Sequence, residues 1–389
     1  MGQHRNEVDR RRGVSRGLIL TVLAVAVVAA LVVGWVVLGN RLTQDGDSAA
    51  NACAEGPETV TVISDPDLAA PLAAIATEFG KTRPVVRDKC ITVQVKAGDP
   101  KVTLDGLTGT WDPASMGPYP AAWVPASSIW SAQLLASASS VVEGTPRSLV
   151  TSPVVLAVAP QFATTVGGKL SWLQLLPLQR NDDGLAELGL EGWGRLRIGF
   201  ATGSDLDAGV LAAQAVATEI THTDSAGLTT DDTALPQVVS TIKDLRKRAV
   251  PVPDGSAARA LPIIAGPSPA SADIQAIPMT EQALYAATRG ANPPQVVGLL
   301  PSGVTPMADY PVVDLTGPKV SAAQAEAVTK FFDFTRLPEQ LRRITSLGFR
   351  GNAALPAANT AVSFPVTANP MAAPDPAASV AITDLMTRR

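Results

Sequence analysis

Hydroxyl-bearing side chains follow four of the predicted β-strands and are the groups best placed to bind a ligand. Each lies beside a predicted helix start, where free backbone N–H groups and the helix dipole favour anions or polar molecules. Ser and Thr are also ordinary helix caps, so capping is the alternative role for each one taken alone. Their recurrence at four strand ends favours a binding site. The candidate residues are Ser64, Ser127, Ser128, Thr202, Ser204 and Thr280.

Other reactive groups are scarce. The 389 residues include two His and two Cys, so a His-rich zinc site, a Ser-His-Asp triad or a Cys-His dyad is not expected. Asp65 and Asp67 form a D-x-D pair, which we interpret as turn and helix-cap residues. Glu219 and Asp224 near His222 are a weak metal-site pattern in a loop that we expect to be exposed. We therefore predict neither an enzyme nor a cofactor or metal site.

The composition indicates a large folded chain without a basic surface. Hydrophobic residues make up 46%, and the net charge of −4 offers no field for nucleic acid. Trp123 and Trp130 flank the paired serines at 127 and 128, where they either wall a pocket or pack a core.

The elements that would position these residues alternate along the chain. Apolar, β-branched runs predict strands at 59–64, 91–95, 121–125, 154–158, 196–200, 274–277, 296–300 and 310–315. Helical spacing predicts helices over about 68–79, with Asp67 as N-cap, and over 171–176, 208–220, 235–249, 278–285 and 321–347, the last interrupted near Pro338. This rhythm predicts an α/β fold with a mainly parallel sheet, whose ligand lies outside the carboxyl ends of its strands.

The Ala- and Pro-rich stretch from Asn352 onward shows no such periodicity. We expect this C-terminal tail, 351–389, to be disordered apart from a short helix near 377–386.

An apolar run from Leu18 to Leu38 contains 21 residues without a charge. At about 1.5 Å per residue it is long enough to cross a bilayer. Five arginines precede it, so the positive-inside rule places residues 1–16 in the cytoplasm and the remainder outside. We expect a transmembrane helix over 17–39 and a linker over 40–57; a cleaved signal peptide is the alternative.

Cys53 and Cys90 both lie on the expected outer side. Two cysteines in an oxidising compartment predict one disulfide, which would stabilise the fold by about 4 kcal/mol through loop closure. Two unpaired thiols are the alternative.

Several of these segments together resemble the type 2 periplasmic substrate-binding proteins, in the branch near the molybdate-binding proteins. More closely, the chain is similar to membrane-anchored actinobacterial members that carry a von Willebrand factor A domain after the binding domain. The matching segments are Val62–Ala69, Cys90–Val95, Ala122–Trp130, Ser152–Val158, Thr280–Tyr285, Asp309–Val313 and Leu347–Arg350.

The resemblance implies two lobes with a ligand cleft between them. Lobe I would comprise 58–150 and 306–350, lobe II 151–305, and Val154–Val158 and Tyr310–Val313 would cross between them. The family's pocket positions fall on the six hydroxyl residues named above. The family's acidic residue before the paired serines is Ala126 here. The sequence contains no D-x-S-x-S motif, so we expect a form that lacks the usual C-terminal von Willebrand factor A domain.

These observations predict a single-pass membrane protein with an extracytoplasmic domain that captures or senses a small polar or anionic solute, an oxyanion for example. A membrane protein would be its second partner. The alternative is a degenerate binding fold that serves as a scaffold in the cell envelope.

Overall fold

A computed structural model describes residues 53–290 and 292–388, together with Val33 and Trp35. The expected cytoplasmic tail 1–16, and the membrane segment 17–39 apart from those two positions, lie outside the described residues. So does most of the linker 40–57. In the part of the chain that is described, no helix has both the length and the apolar character needed to cross a bilayer.

Ten strands and fourteen α-helices are named here in chain order for the described residues. The strands are β1 Pro57–Ser64, β2 Val85–Val86, β3 Lys89–Ala97, β4 Ala122–Val124, β5 Arg147–Ser148, β6 Ser152–Val158, β7 Ala276–Thr280, β8 Val297–Leu299, β9 Met307–Ala308 and β10 Pro311–Asp314. The helices are α1 Pro66–Lys81, α2 Pro100–Thr108, α3 Pro113–Met116, α4 Ser128–Ala138, α5 Pro160–Val166, α6 Leu175–Arg180, α7 Asp207–Thr221, α8 Thr230–Ala234, α9 Pro236–Arg248, α10 Ala257–Ile264, α11 Glu281–Ala287, α12 Ala322–Thr335, α13 Pro338–Thr345 and α14 Pro376–Thr387.

The first sheet has the order β2-β3-β1-β4-β10-β5. Its centre is parallel: Val62 of β1 pairs with Val95 of β3 on one side and with Ala122 of β4 on the other. Because helices cover both faces of a parallel sheet, a central strand is apolar along its length. The last five residues of β1 are accordingly all buried.

The second sheet has the order β7-β6-β8, with β9 also pairing with β6. Its named strands all pair antiparallel to β6. The expectation of a mainly parallel sheet is therefore correct for the centre of the first sheet and wrong for the second. Strand direction depends on how the long connections return, and local apolar runs do not encode that. The predicted strand at 196–200 is reduced to single bridges at Ile198 and Gly199.

The chain passes from the first sheet to the second between Ser148 and Ser152, and it returns between Ala308 and Pro311. We call the part built on the first sheet, with α1, α2, α4, α12 and α13, lobe I. The part built on the second sheet, with α7, α9, α10 and α11, is lobe II. Of the segments expected to cross, 154–158 lies within the second sheet and 311–313 lies within the first, whereas Tyr310 lies in the return passage.

Helix α1 shows how the local sequence places a site residue. Its apolar residues at 68, 72, 75 and 79 are buried against the sheet, as their spacing predicts. The N-cap is Asp65 rather than the expected Asp67, because an Asp65 carboxylate oxygen accepts from the Asp67 backbone N–H at 2.9 Å. Asp65 is thereby fixed at the carboxyl end of β1.

The C-terminal segment 352–387, which we call the strap, is ordered, so the expectation of a disordered tail is wrong. Gly298 N–H donates to the Ala361 carbonyl at 2.9 Å, and Thr305 N–H donates to the Asn369 carbonyl at 2.7 Å. The expected short helix is α14. It packs on α4 of lobe I, on α7 and α9 of lobe II, and on α8.

The predicted disulfide between Cys53 and Cys90 is present, with the two Cα atoms 5.1 Å apart. It joins the entry to β1 with the start of β3, where Pro57 and Cys90 are paired in the sheet.

Candidate functional site

A cleft of about 260 Å³ lies between the carboxyl end of β1 in lobe I and the starts of α7 and α11 in lobe II. Parallel strands and helix starts meet here, as is typical of binding sites in open α/β sheets. Its polar lining is dominated by four carboxylates, Asp65 and Asp67 from lobe I and Asp205 and Asp207 from lobe II. The remaining lining residues are Ala126, Ser204, Ala208, Ala257, Ala258, Met279, Thr280, Ala283, Ala286, Ala287 and Tyr310.

The carboxylates come from a repeated tetrapeptide, Ser-Asp-x-Asp, at 64–67 and again at 204–207. Each copy follows a strand or bridge of its own lobe and leads into a helix, α1 or α7. The two lobes therefore present the same acidic pair to the cleft. This repetition is a signal that the sequence contained, and the turn-and-cap interpretation of Asp65 and Asp67 missed it.

Burial and mutual repulsion shift the protonation of these groups. Burial, followed by the charge of Asp67, raises the pKa of Asp65 to about 8, and Asp207 and Asp205 add smaller contributions. Burial and the charge of Asp205 raise the pKa of Asp67. Carboxylates that repel one another in a partly dry cleft favour a bound positive charge.

Asp207 connects the two lobes directly. Its carboxylate accepts hydrogen bonds from the Ser127 hydroxyl and, at 2.9 Å, from Trp130 Nε1. Burial raises the pKa of Asp207 to about 6, although these two hydrogen bonds oppose the shift. Lobe I thus supplies neutral donors to a buried carboxyl of lobe II.

Ser127 can reach Asp207 because it does not cap α4. It occupies the N-cap position, but its side chain makes no capping bond. The Ser128 backbone N–H instead donates to Asp309 Oδ1 at 2.7 Å. Asp309 therefore satisfies a free N–H of the helix start and releases the Ser127 hydroxyl for the interlobe bond.

The structure brings some of the six predicted site residues together and separates others. Ser204 and Thr280 line the cleft, where Thr280 also caps α11 by accepting from Ala283 N–H at 3.1 Å. Ser127 is buried beside the cleft. Ser64 is buried under Asp65, and its hydroxyl donates to the Asp65 carbonyl at 3.2 Å.

Ser128 and Thr202 line other cavities. Ser128 faces a small pocket against the strap, with Pro374 and Ser379 among its neighbours. Thr202 lines a larger cavity on the far side of the 203–205 turn. Helix capping was the alternative role for these hydroxyls. Among the six residues, Thr280 has that role.

Tyr310, which sequence reasoning placed only in a crossover strand, lines the cleft from the passage between the sheets. Its φ of +38° is unusual for a residue other than glycine. Its backbone N–H donates to the Ala126 carbonyl at 3.1 Å, and its ring packs edge-on against Phe349. Burial, followed by the charge of Asp65, raises the pKa of the Tyr310 phenol well above its ordinary value, so the phenol stays neutral.

The two tryptophans beside the paired serines belong to the core, since both are buried. Trp130 additionally donates to Asp207, so one of them also contributes to the site.

Within the described ranges, no group of three or more His, Cys, Asp or Glu side chains is arranged to hold a metal ion. The weak pattern at Glu219, His222 and Asp224 has a structural explanation: Glu219 accepts from the Val304 backbone N–H at 3.2 Å, and His222 ends α7 in a left-handed conformation.

A buried ion pair holds the lobes together beside the cleft. Arg350, which pairs with Thr151 at the passage between the sheets, donates to both Glu281 carboxylate oxygens at 2.8 and 2.9 Å. Next to it, Gly348 has a φ of +98° and lies against the Tyr285 ring, where a Cβ would approach to 3.0 Å. The segments 280–285 and 347–350 are therefore physical partners.

Comparison with known sequences agrees with this architecture. A family model described as bacterial extracellular solute-binding protein matches residues 60–350. An uncharacterised protein of Mycobacterium tuberculosis, found in two strains, is 33% identical over 386 residues. The match covers 98% of this chain and 55% of the relative, so the chain spans about half the length of the curated relatives it matches.

Solved structures share the fold at low sequence identity. Iron-bound HitA from Pseudomonas aeruginosa superposes with a TM-score of 0.53 at 14% identity, covering 85% of this chain and 99% of that one. The ferric binding protein from Campylobacter jejuni gives 0.51 at 12% identity, covering 84% and 96%. AfuA from Actinobacillus pleuropneumoniae, with fructose-6-phosphate bound, gives 0.51 at 11% identity, covering 86% and 97%. The fold is that of a periplasmic binding protein, and the chain belongs to the bacterial extracellular solute-binding protein family.

Proposed function

We propose that the chain is the binding domain of an extracytoplasmic solute-binding protein whose interlobe cleft holds a small organic cation. The observation that carries this proposal is the convergence of Asp65, Asp67, Asp205 and Asp207 from both lobes on one cleft. Among the described residues lining it, no Lys or Arg balances them.

The negative charge of the cleft favours the expected polar solute over the expected anionic one. A polar solute fits the cleft, but an oxyanion would face four carboxyl groups. The neutral donors expected to hold an anion are engaged: Ser127 donates to Asp207, and the Ser128 N–H donates to Asp309. The volume of about 260 Å³ lies near the small end of typical ligand pockets.

The lobe boundaries 58–150 with 306–350 and 151–305 remain our proposal, as does the molybdate-binding-like branch. Of the six hydroxyl residues, Ser64, Ser127, Ser128 and Thr202 do not line the cleft, so the proposed ligand contacts are reduced to Ser204 and Thr280. Ser204 and Thr280 are the best-supported contacts because they line the cleft.

The scaffold alternative also has an observation in its favour. The Ser127–Asp207 bond, the Arg350–Glu281 pair and the strap all join the lobes through the protein's own contacts. A domain whose lobes are already joined in this way has less to gain from a solute.

A thermal-shift screen separates these functions. We expect putrescine, choline or arginine to stabilise the domain at pH 8.5, by about 2.7 kcal/mol at a hundred times the Kd, and molybdate and phosphate to have no effect. Affinity should rise between pH 5.5 and 8.5, because Asp207 and then Asp65 ionise in this range.

The matched variants are Asp67→Asn in the cleft and Asp182→Asn, which removes the same charge from a surface site 93% exposed. Losing one nearby charge should weaken cation binding about fivefold, and the control should bind as the parent does. If no cation stabilises the protein, the scaffold function is correct. If molybdate stabilises it, the ligand of the cleft is an anion.

We also propose that residues 17–39 anchor the domain in the cell membrane with residues 1–16 in the cytoplasm, and that a membrane protein is its partner. The support is the sequence pattern of the apolar run and its arginines. The protein should stay in the membrane fraction after a carbonate wash. Recovery of a soluble form beginning near residue 50 would favour a cleaved signal peptide.

A further inference from the structure

A second and larger cavity, of about 640 Å³, lies behind the acidic cleft. It opens between the start of α7, the segment 249–252 and the end of α14. The turn at 203–205 separates the two cavities: Asp205 faces the acidic cleft, and Gly203 lines this one. Its volume is typical of small-molecule sites.

The lining is mostly apolar. Phe200, Leu206, Val210, Val252 and Met386 contribute side chains from three different parts of the chain. Their convergence creates a wall suited to an aliphatic group.

The charge in this cavity has the opposite sign to that of the cleft. Arg246, in the last turn of α9, and Lys101 of lobe I both line it. Lys101 is held by Asp105 at 2.8 Å. Nη1 of Arg246 is buried and has no hydrogen-bond partner among the described residues.

A buried donor on a charged group is unfavourable when it lacks an acceptor. An anionic head group in the cavity would supply that acceptor once the guanidinium turns toward it, and an aliphatic chain would cover the apolar wall. We propose that this cavity binds a single-chain amphiphile with an anionic head, of the fatty-acid class, with Arg246 holding the carboxylate.

Laurate is the test probe, and 1-dodecanol and inorganic phosphate are the comparison ligands. Calorimetric titration of the full chain should show saturable binding of laurate, with at least tenfold weaker binding of 1-dodecanol and of phosphate, because both the chain and the charge are needed. Equal binding of the alcohol, or no saturable binding of laurate, would overturn the proposal.

The variant Arg246→Met keeps an apolar stem and removes the charge. We expect it to weaken laurate binding at least tenfold and to leave the ligand-free melting temperature equal or higher, because an unpartnered donor is lost. The matched control is Lys247→Met, an exposed position one residue along α9, which should bind laurate like the parent.

Val252→Phe is a second variant that fills the cavity without altering charge, and it should also reduce binding. If both Arg246→Met and Val252→Phe bind laurate with parental affinity, laurate binds elsewhere and the proposal fails. Asp67→Asn should leave laurate binding unchanged, so the outcome is independent of the ligand in the acidic cleft.

Discussion

At Asp65 and Asp207, protonation is coupled to folding. Burial raises the pKa of Asp65 to about 8 and that of Asp207 to about 6 from an ordinary value of 3.8. Between pH 4 and 8 the folded state therefore binds more protons than the unfolded state. The stability that these two groups contribute is fully present below pH 4 and is lost as the pH rises through 6 and then 8.

We expect Asp65→Asn to flatten this pH dependence. The amide oxygen can still accept from the Asp67 N–H, but it has no charge to bury. Thermal melts should show the parent losing stability from pH 5 to 8.5 through these groups, by roughly 5 kcal/mol. The variant should lose less than half as much, and Asp182→Asn should behave as the parent does. An unchanged slope in Asp65→Asn would mean that this carboxyl ionises normally.

Sequence patterns alone predicted only part of the site. The ends of β1 and β4 were located to within one residue because apolar runs mark strands. The strand predicted before Ser204 is reduced to bridges at 198 and 199, and β7 extends to Thr280, beyond the predicted end at 277. The acidic character was not predicted, since an isolated Asp-x-Asp after a strand is as well explained by helix capping. The acidic character of the site becomes evident only in the fold, where the second copy at 204–207 lies across the cleft from the first.

At the level of elements, most strands and helices followed from periodicity, and the strap did not, apart from its short helix α14. Its Ala- and Pro-rich composition carries no repeating pattern, and its order comes from docking onto a preformed surface. Ala378 and Ile382 of α14 are completely buried. Gln214 of α7 donates to the Ser379 hydroxyl at 3.1 Å.

If this packing holds the strap, Ile382→Ala should destabilise the domain by about 2–5 kcal/mol, as deletion of a buried side chain usually does. Urea denaturation would measure the change. Val366→Ala is the matched control within the same segment, since Val366 is 89% exposed, and it should change stability by less than about 0.5 kcal/mol. Equal effects of the two variants would show that α14 is not docked in solution.

Across the described part of the molecule, contacts in at least three places hold the lobes together. Asp207 bonds to lobe I at the cleft, Arg350 pairs with Glu281 at the passage between the sheets, and α14 packs on elements of both lobes. Hinge closure in a two-lobed binding protein requires that such contacts change between open and closed states. Opening of this domain must break the Asp207 bonds and shift α14. Ligand exchange and the docking of the strap are therefore thermodynamically coupled.

The disulfide gives the domain a mechanical property. A pull from the N-terminal side enters the described fold at Cys53, which is bonded to Cys90 at the start of β3. The load is then divided between β1 and β3, which lie parallel and in register from Pro57 and Cys90 onward. Because the tether pulls both strands from the same end, the load passes in shear to the hydrogen bonds between β1 and its other neighbour, β4, and does not open the β1–β3 pair. A domain tethered at this end would therefore receive tension in its first sheet through two strands instead of one.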